Sequence, residues 1–269
     1  DGQAVTTNDF VIAMEDASGI DLGQFRHWYH QAGTPELVVS DEYDSATQEY
    51  KITFAQSCPS TPESNHKKPF HIPVQIGLVL QDGSEADLNC DNHAFNAETC
   101  VLGLKEVQQT FTFTGVVSKP VPSLLRDFSA PVKLSYPYSR EQLLFLMAFD
   151  GDGFNRWDAG QALATDIILE LSEHVLAGKT LVADSRLVGV FTKLLQSDDL
   201  DKPMVVKMLT LPSLAFLMEQ QPGANVSALH TARSFIKKTL AAQLHSRFYE
   251  IFQENNNTGA YEPISGAMA

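Results

Sequence analysis

Between about Glu36 and Tyr138 the hydrophobic residues recur with a period of two, and on both sides of that stretch they recur with the period of a helix. A chain patterned this way must change from helix to sheet and back again, which excludes one continuous bundle or barrel. The alternation is plainest at Tyr50-Lys51-Ile52-Thr53-Phe54 and Thr110-Phe111-Thr112-Phe113. The candidate strands are Glu36–Asp41, Glu49–Ser57, His71–Leu80, Thr99–Leu104, Gln108–Phe113 and Val132–Tyr136. Loops rich in Pro, Ser and Asn part them, notably Cys58–Lys68 and Asp82–Ala97. About seven short strands in roughly 100 residues, with no helix between them, predict an antiparallel β-sandwich.

The first change of pattern falls in Gln24–Val39. Leu22, Phe25, Trp28 and Tyr29 lie at helical spacing, Gly33 supplies a left-handed stop, and Pro35 forbids continuation. Leu37–Val39 then favour a strand. Upstream, Thr6 and Thr7 precede a helical run that ends near Gly19, and Asp21 with Gln24 reads as a capping box for a second helix. Two short helices without a core of their own read as the tail of a truncated domain, so both ends of the chain read as cut. Trp28 and Tyr29 are expected to pack on the sandwich.

The second change comes at Ser139, which forms a capping box with Gln142 ahead of Leu143, Leu144, Leu146 and Met147. A helix over about Phe154–Leu176 carries Leu163, Ile167, Leu171 and Val175 at spacing four. Further helices are expected at Arg186–Gln196, Lys202–Leu209, Leu214–Gln220 and Val226–Glu254. Successive helices with short connections predict an all-α array of the solenoid kind. The expected domains are therefore 1–35, 36–138 and 139–269.

Composition narrows the function classes. Nineteen Lys plus Arg against 33 Asp plus Glu give a net charge of -14, which repels nucleic acid and anionic membrane. No apolar run reaches the ~18 residues of a membrane span, and no signal-peptide pattern opens the chain. Three cysteines, Cys58, Cys90 and Cys100, are an odd count that suits reduced thiols in a cytoplasmic protein, although Cys90 and Cys100 can also pair across a loop.

The candidate chemistry is thin. His27 and His30 stand three apart beside Trp28 and Tyr29, yet neither a carboxylate nor a third histidine lies near them. Asp150-Gly151-Asp152-Gly153-Phe154-Asn155 looks like a calcium loop, but Phe154, Asn155 and Gln161 stand where an EF-hand needs ligand, Gly and Glu. A turn in which Asp152 or a neighbour caps the following helix is the better reading. Cys58, Cys90, His93 and Cys100 do not have zinc-ribbon spacing. No residue is assigned as catalytic, substrate-binding or metal-ligating.

Several blocks resemble the aminopeptidase N family of zinc exopeptidases, most closely its bacterial alanyl branch. They are Phe25-Arg26-x-Trp28-Tyr29-x-Gln31-x-Gly33-Thr34-Pro35, Phe70–Pro73, Pro120–Arg126, Phe128–Leu134 and Asn155–Ala159, in the family's order over nearly the whole chain. The resemblance implies the end of a thermolysin-like catalytic domain, a complete β-sandwich and the start of a helical C-terminal domain. It implies that the intact enzyme removes N-terminal residues from peptides, with zinc-bound water as nucleophile and a glutamate upstream of this chain as general base. Zinc is then expected in the intact protein and not in this part, and the partners are the missing catalytic domain and peptide substrates. The sequence holds no His-Glu-x-x-His among its eight histidines. Ala13-Met14-Glu15-Asp16 echoes the family's Gly-Ala-Met-Glu-Asn motif but sits on a helix, where it reads as coincidence. The rival readings are a protein- or glycan-binding sandwich with a helical array, for which Phe95 is the main exposed-aromatic cue, and a separate metal enzyme using His27, His30 or the cysteine loop.

Overall fold

The computed structural model describes residues 2, 4–62, 64–90, 100–196 and 201–256, without the side chains of Asn89 and Cys90. The chain forms two compact units, Asp1–Pro137 and Tyr138–Ala269. His93 and Phe95 lie outside the described residues.

The first unit opens with α1 (Thr7–Ser18), capped reciprocally by Thr6 and Asp9 and closed by Gly19 in the left-handed region. Leu22 to Arg26 wind as overlapping turns into α2, which is only His27–His30. The expected Asp21–Gln24 capping box does not form. Asp21 instead accepts from the backbone of Gly23 at 2.8 Å, and Gln24 turns away to bond distant carbonyls. The helix stops at an extended Gln31, two residues ahead of Gly33. Gly33 sits at φ 102°, and a Cβ there would lie 3.0 Å from the Cys58 sulfur, so glycine is required on both counts.

The strands are β1 (Glu36–Asp44), β2 (Glu49–Ser57), β3 (Ile72–Val79), β4 (Asn89–Cys90), β5 (Cys100–Leu104), β6 (Gln108–Thr114), β7 (Val121–Leu124) and β8 (Lys133–Ser135). They form a sheet ordered β4-β6-β2-β1-β8 and a second ordered β5-β3-β7. Alternation places Tyr50, Ile52 and Phe54 inward on β2, opposite Phe113, Phe111 and Gln109 of β6. On the outer face of that pair, the Thr53 and Thr110 hydroxyls meet at 2.8 Å. Leu37, Ile72, Ile76, Leu102 and Phe70 complete one core fed by both sheets. Among the described residues the strand pairings are antiparallel except that β8 runs parallel to β1, with Leu134 beside Leu37. The chain reaches β8 by crossing from the other sheet and not by a hairpin, and only hairpins enforce antiparallel neighbours.

The second unit is helical: α3 (Arg140–Phe149), α4 (Gly153–Leu176), α5 (Ser185–Leu194), α6 (Lys202–Met208), α7 (Leu214–Gln220), α8 (Val226–Gln243) and α9 (His245–Asn255). Ser139 and Gln142 form the expected capping box. The 24-residue α4 is the spine, burying Leu163, Ile167 and Leu171 and packing against α3, α6 and α8. The single long last helix expected from the sequence is in fact two. Leu244, 6% exposed, leaves helical geometry at φ -106° and ψ 11°, ending α8 and starting α9. Burial of this leucine at the bend replaces the glycine or proline that would have signalled it.

Candidate functional site

The strongest polar construction in the first unit is at the helix-to-sheet junction. Gln24, His27, Trp28 and Gln31 stand at i, i+3, i+4 and i+7, so the winding of this short segment puts them on one face. All four address the backbone just before β3. Gln24 Nε2 donates to Pro69 O at 3.1 Å and to Lys105 O at 2.7 Å. His27 Nδ1 lies 2.9 Å from Pro69 O, which makes Nδ1 the protonated nitrogen because a carbonyl only accepts. Trp28 Nε1 donates to His71 O at 2.9 Å while its ring packs on Phe70 at 4.8 Å. Gln31 bonds both sides of Lys68, giving to its carbonyl at 3.0 Å and accepting from its amide at 2.7 Å. Buried Gln56 does the same for Phe70, at 3.0 Å and 2.7 Å. Every carbonyl from Lys68 to His71 thus meets a side chain, as a partner strand would provide.

The junction is also tied backward to α1. Arg26 grips Glu15 with two nitrogens at 2.8 and 2.7 Å, and the Leu22 amide donates to the same carboxylate at 2.8 Å. The Arg26 bonds, then the Leu22 amide, pull the Glu15 carboxyl down to about 2. His71, on the far side, is pushed below the usual histidine range by burial and then by Lys105, which favours a neutral ring. Of the two aromatics expected on the sandwich, only Trp28 packs there. Tyr29 is 47% exposed and meets Phe25 edge-on at 6.2 Å.

A second cluster centres on Arg126, 4% exposed. Its Nε donates to the Ser123 hydroxyl at 2.8 Å and its Nη2 to Glu85 at 2.7 Å. The guanidinium lies flat on Gly77, where a Cβ would fall 2.1 Å from Cζ. Leu125, Asp127 and Phe128 beside it all have positive φ, at 58°, 53° and 52°. Left-handed backbone at non-glycine residues costs on the order of 1 kcal/mol each, so the surrounding contacts must hold this turn in place.

The sequence-derived candidates are scattered. His27 is engaged with Pro69 and His30 is exposed. Glu15 of the Met-Glu motif is the Arg26 partner. Asp152 caps α4 by accepting from the Asn155 amide at 2.8 Å, and its own amide donates to Asp150 at 2.9 Å. Cys58 is a half-buried thiol near Ala32 O, and Cys100 is buried in the sandwich core. The Cys90 side chain and His93 fall outside the described residues. Among the described residues no group of three or more His, Cys, Asp and Glu is placed to hold a metal ion. Sequence reasoning missed Gln24, Gln31, Gln56 and the Gly77–Arg126 pair. For the first two, the polar i, i+7 spacing around Trp28 was the available signal.

An antiparallel sandwich leading into packed helix pairs defines an Ig-like domain followed by an armadillo-type array. Residues 33–137 match the family described as "Domain of unknown function (DUF3458) Ig-like fold", and residues 140–269 match "Domain of unknown function (DUF3458_C) ARM repeats". Over 256 residues, 95% of the chain, it is 40% identical to aminopeptidase N of Escherichia coli. Over 252 residues, 94% of the chain, it is 36% identical to aminopeptidase N of Haemophilus influenzae. It spans 29% of the length of each of these relatives. A Legionella pneumophila aminopeptidase A, solved in complex with aspartic acid, superposes with a TM-score of 0.81 at 31% identity, over 97% of this chain and 28% of that one. Over nearly its whole length the chain is homologous to these aminopeptidase N proteins.

Proposed function

We propose that this chain is the architectural, non-catalytic part of a zinc-dependent aminopeptidase that removes N-terminal residues from peptides. The likeness to aminopeptidase N over 94–95% of the chain, which accounts for only 29% of those relatives, carries the reading. The chemistry is then supplied by residues outside this sequence. In this reading the sandwich spaces the helical array so that it caps the active site, admitting peptides and excluding folded proteins. The tight core and the side-chain-clamped junction support a spacer's work, which requires stiffness and not reactivity. Its partners are the catalytic domain of the same polypeptide and peptide substrates, with neither nucleic acid nor membrane. The net charge of -14 favours that set, and no described helix is long and apolar enough to cross a membrane. We place the protein in the cytoplasm, a point for cell fractionation.

The test is turnover of an alanyl chromogenic substrate, with zinc quantified, on the 269-residue chain and on a longer polypeptide that includes the upstream domain. The expected result is chelator-sensitive turnover in the longer protein alone. Stoichiometric zinc and turnover in the short chain would overturn the reading.

A further inference from the structure

Among the described residues no strand pairs with 68–71, yet four side chains from a single helical face occupy the carbonyls of Lys68, Pro69 and His71. Backbone-to-backbone pairing can slip in register, because every residue presents the same donor and acceptor. Side-chain pairing resists such a slip, because glutamine, histidine and tryptophan differ in reach and shape and meet particular carbonyls: Gln31 that of Lys68, Gln24 and His27 that of Pro69, and Trp28 that of His71. The same helical segment is held to α1 by the two-pronged Arg26–Glu15 contact and by Arg26 Nε on Asn8 at 3.1 Å. A series of directional bonds therefore runs from Asn8 to His71, the residue before β3, skirting the Gly33-Thr34-Pro35 bend that would otherwise be the flexible point.

We propose that Gln24, His27, Trp28 and Gln31 are positioning residues for the peptidase reaction: they lock residues 68–71 to the junction, so that α1, the junction and the sandwich move as one body. This rests on the aminopeptidase reading, in which the segment before Gly33 continues from the catalytic domain. A locked junction fixes where the sandwich stands with respect to that domain, and with it the path of a substrate long enough to extend beyond the reacting bond. A short chromogenic substrate does not reach that far. Loosening the lock therefore acts on the binding of long peptides and spares the chemical step.

Two readouts decide the matter. In the 269-residue chain, amide hydrogen exchange is followed at Lys68, whose N–H is held by Gln31, and at Phe70, whose N–H is held by Gln56. Gln31→Ala is expected to speed exchange at Lys68 at least ~10-fold, and His27→Gln, which moves the donor from the Nδ1 to the Nε2 position, is expected to speed exchange at both. His27→Asn keeps a donor near the Nδ1 position and is expected to restore protection. In the longer enzyme, His27→Gln and Gln24→Ala are expected to raise KM for a long peptide about fivefold, with kcat on the alanyl substrate changed less than twofold and His27→Asn close to wild type. Equal losses on both substrates, or unchanged exchange at Lys68 and Phe70, would overturn the proposal. A longer wild-type protein without peptidase activity would instead sink the aminopeptidase reading, leaving the exchange experiment to decide the lock by itself.

Discussion

Both units bury polar side chains, but the buried ones of the sandwich unit serve backbone that no strand covers, whereas the arginine ion-pair networks of the helical unit lie at its surface. Arg126 in the first is 4% exposed and lies against backbone at Gly77, while Gln56, at 6%, holds both backbone groups of Phe70. In the second, Arg140 reaches Asp166 and Glu170, and Arg186 reaches Asp184 and Glu141, with arginine side chains 28% and 46% exposed. A helix satisfies its own backbone except at its ends, so the helical unit rests mainly on apolar stripes such as Leu163–Ile167–Leu171, and its buried Arg156 donates to Met147 O at 3.2 Å in the last turn of α3. A sandwich leaves edges and crossings whose backbone groups must find partners, so side chains go inside to supply them. Sensitivity to mutation should follow that division.

The largest effect is expected at Gly77. Adding one methyl displaces a guanidinium that has nowhere to move, taking it from both Ser123 and Glu85. Gly77→Ala should cost about 3–5 kcal/mol, the scale of a broken buried ion pair. Urea denaturation of the first unit measures it, and a midpoint close to wild type would show that Arg126 is not held as described. Trp28→Ala comes next at about 3 kcal/mol, from lost packing on Phe70 and an orphaned His71 carbonyl. Trp28→Phe, which keeps the ring and loses the N–H, should cost about 1 kcal/mol. Equal costs for the two would mean that the hydrogen bond, and not the ring, fastens the junction.

The same division explains what could be read in advance. Elements set by local chemistry were legible: β2 from its alternation, α3 from the Ser139–Gln142 box, α4 from Asp152. Elements set by tertiary contact were not. β7 contains Pro122 between Pro120 and Ser123 and reads as loop, but it lies at the edge of its sheet, where a missing donor is tolerated. The α8–α9 break rests on the burial of Leu244, which no local residue announces. The junction was legible as a boundary from Gly33 and Pro35 and illegible as a lock, because its acceptors are backbone carbonyls, which carry no sequence identity. Gly77 and Arg126 meet across the fold without any shared motif.

Glu15 sharpens the comparison through pH. Its folded-state value near 2 lies below the ordinary 4.5, so its contribution is present above 4.5 and is lost as pH falls through that interval. Stability of the first unit should therefore decline between pH 4.5 and about 2, and Glu15→Gln should flatten that decline. Urea midpoints against pH for both proteins check it, and identical slopes would assign the acid sensitivity to other carboxylates. Arg140→Ala in the helical unit is expected to cost less than ~1 kcal/mol, because its partners Asp166 and Glu170 are 56% and 48% exposed and screened by water. The cost should shrink further in high salt, whereas that of Gly77→Ala should not.

The smallest effect is expected from the same substitution that gives the largest. Gly160 lies in α4 against Met147 of α3, and a Cβ there would come 3.3 Å from the Met147 sulfur and terminal methyl. Both glycines are places where another group crowds the backbone, but the crowding groups differ. Met147 is unbranched with three rotatable bonds and no directional partner, so it can retreat by a few tenths of an ångström within its rotamer well. Arg126 is fixed by bonds to Ser123 and Glu85 and cannot. Alanine is also about 1 kcal/mol better than glycine in a helix interior, which offsets the shift of the methionine. Gly160→Ala should leave thermal stability of the helical unit within about 0.5 kcal/mol of wild type. A loss comparable to that of Gly77→Ala would mean that α3 and α4 are as rigidly keyed as the sandwich, and the division between buried polar bonds and yielding apolar contacts would fail.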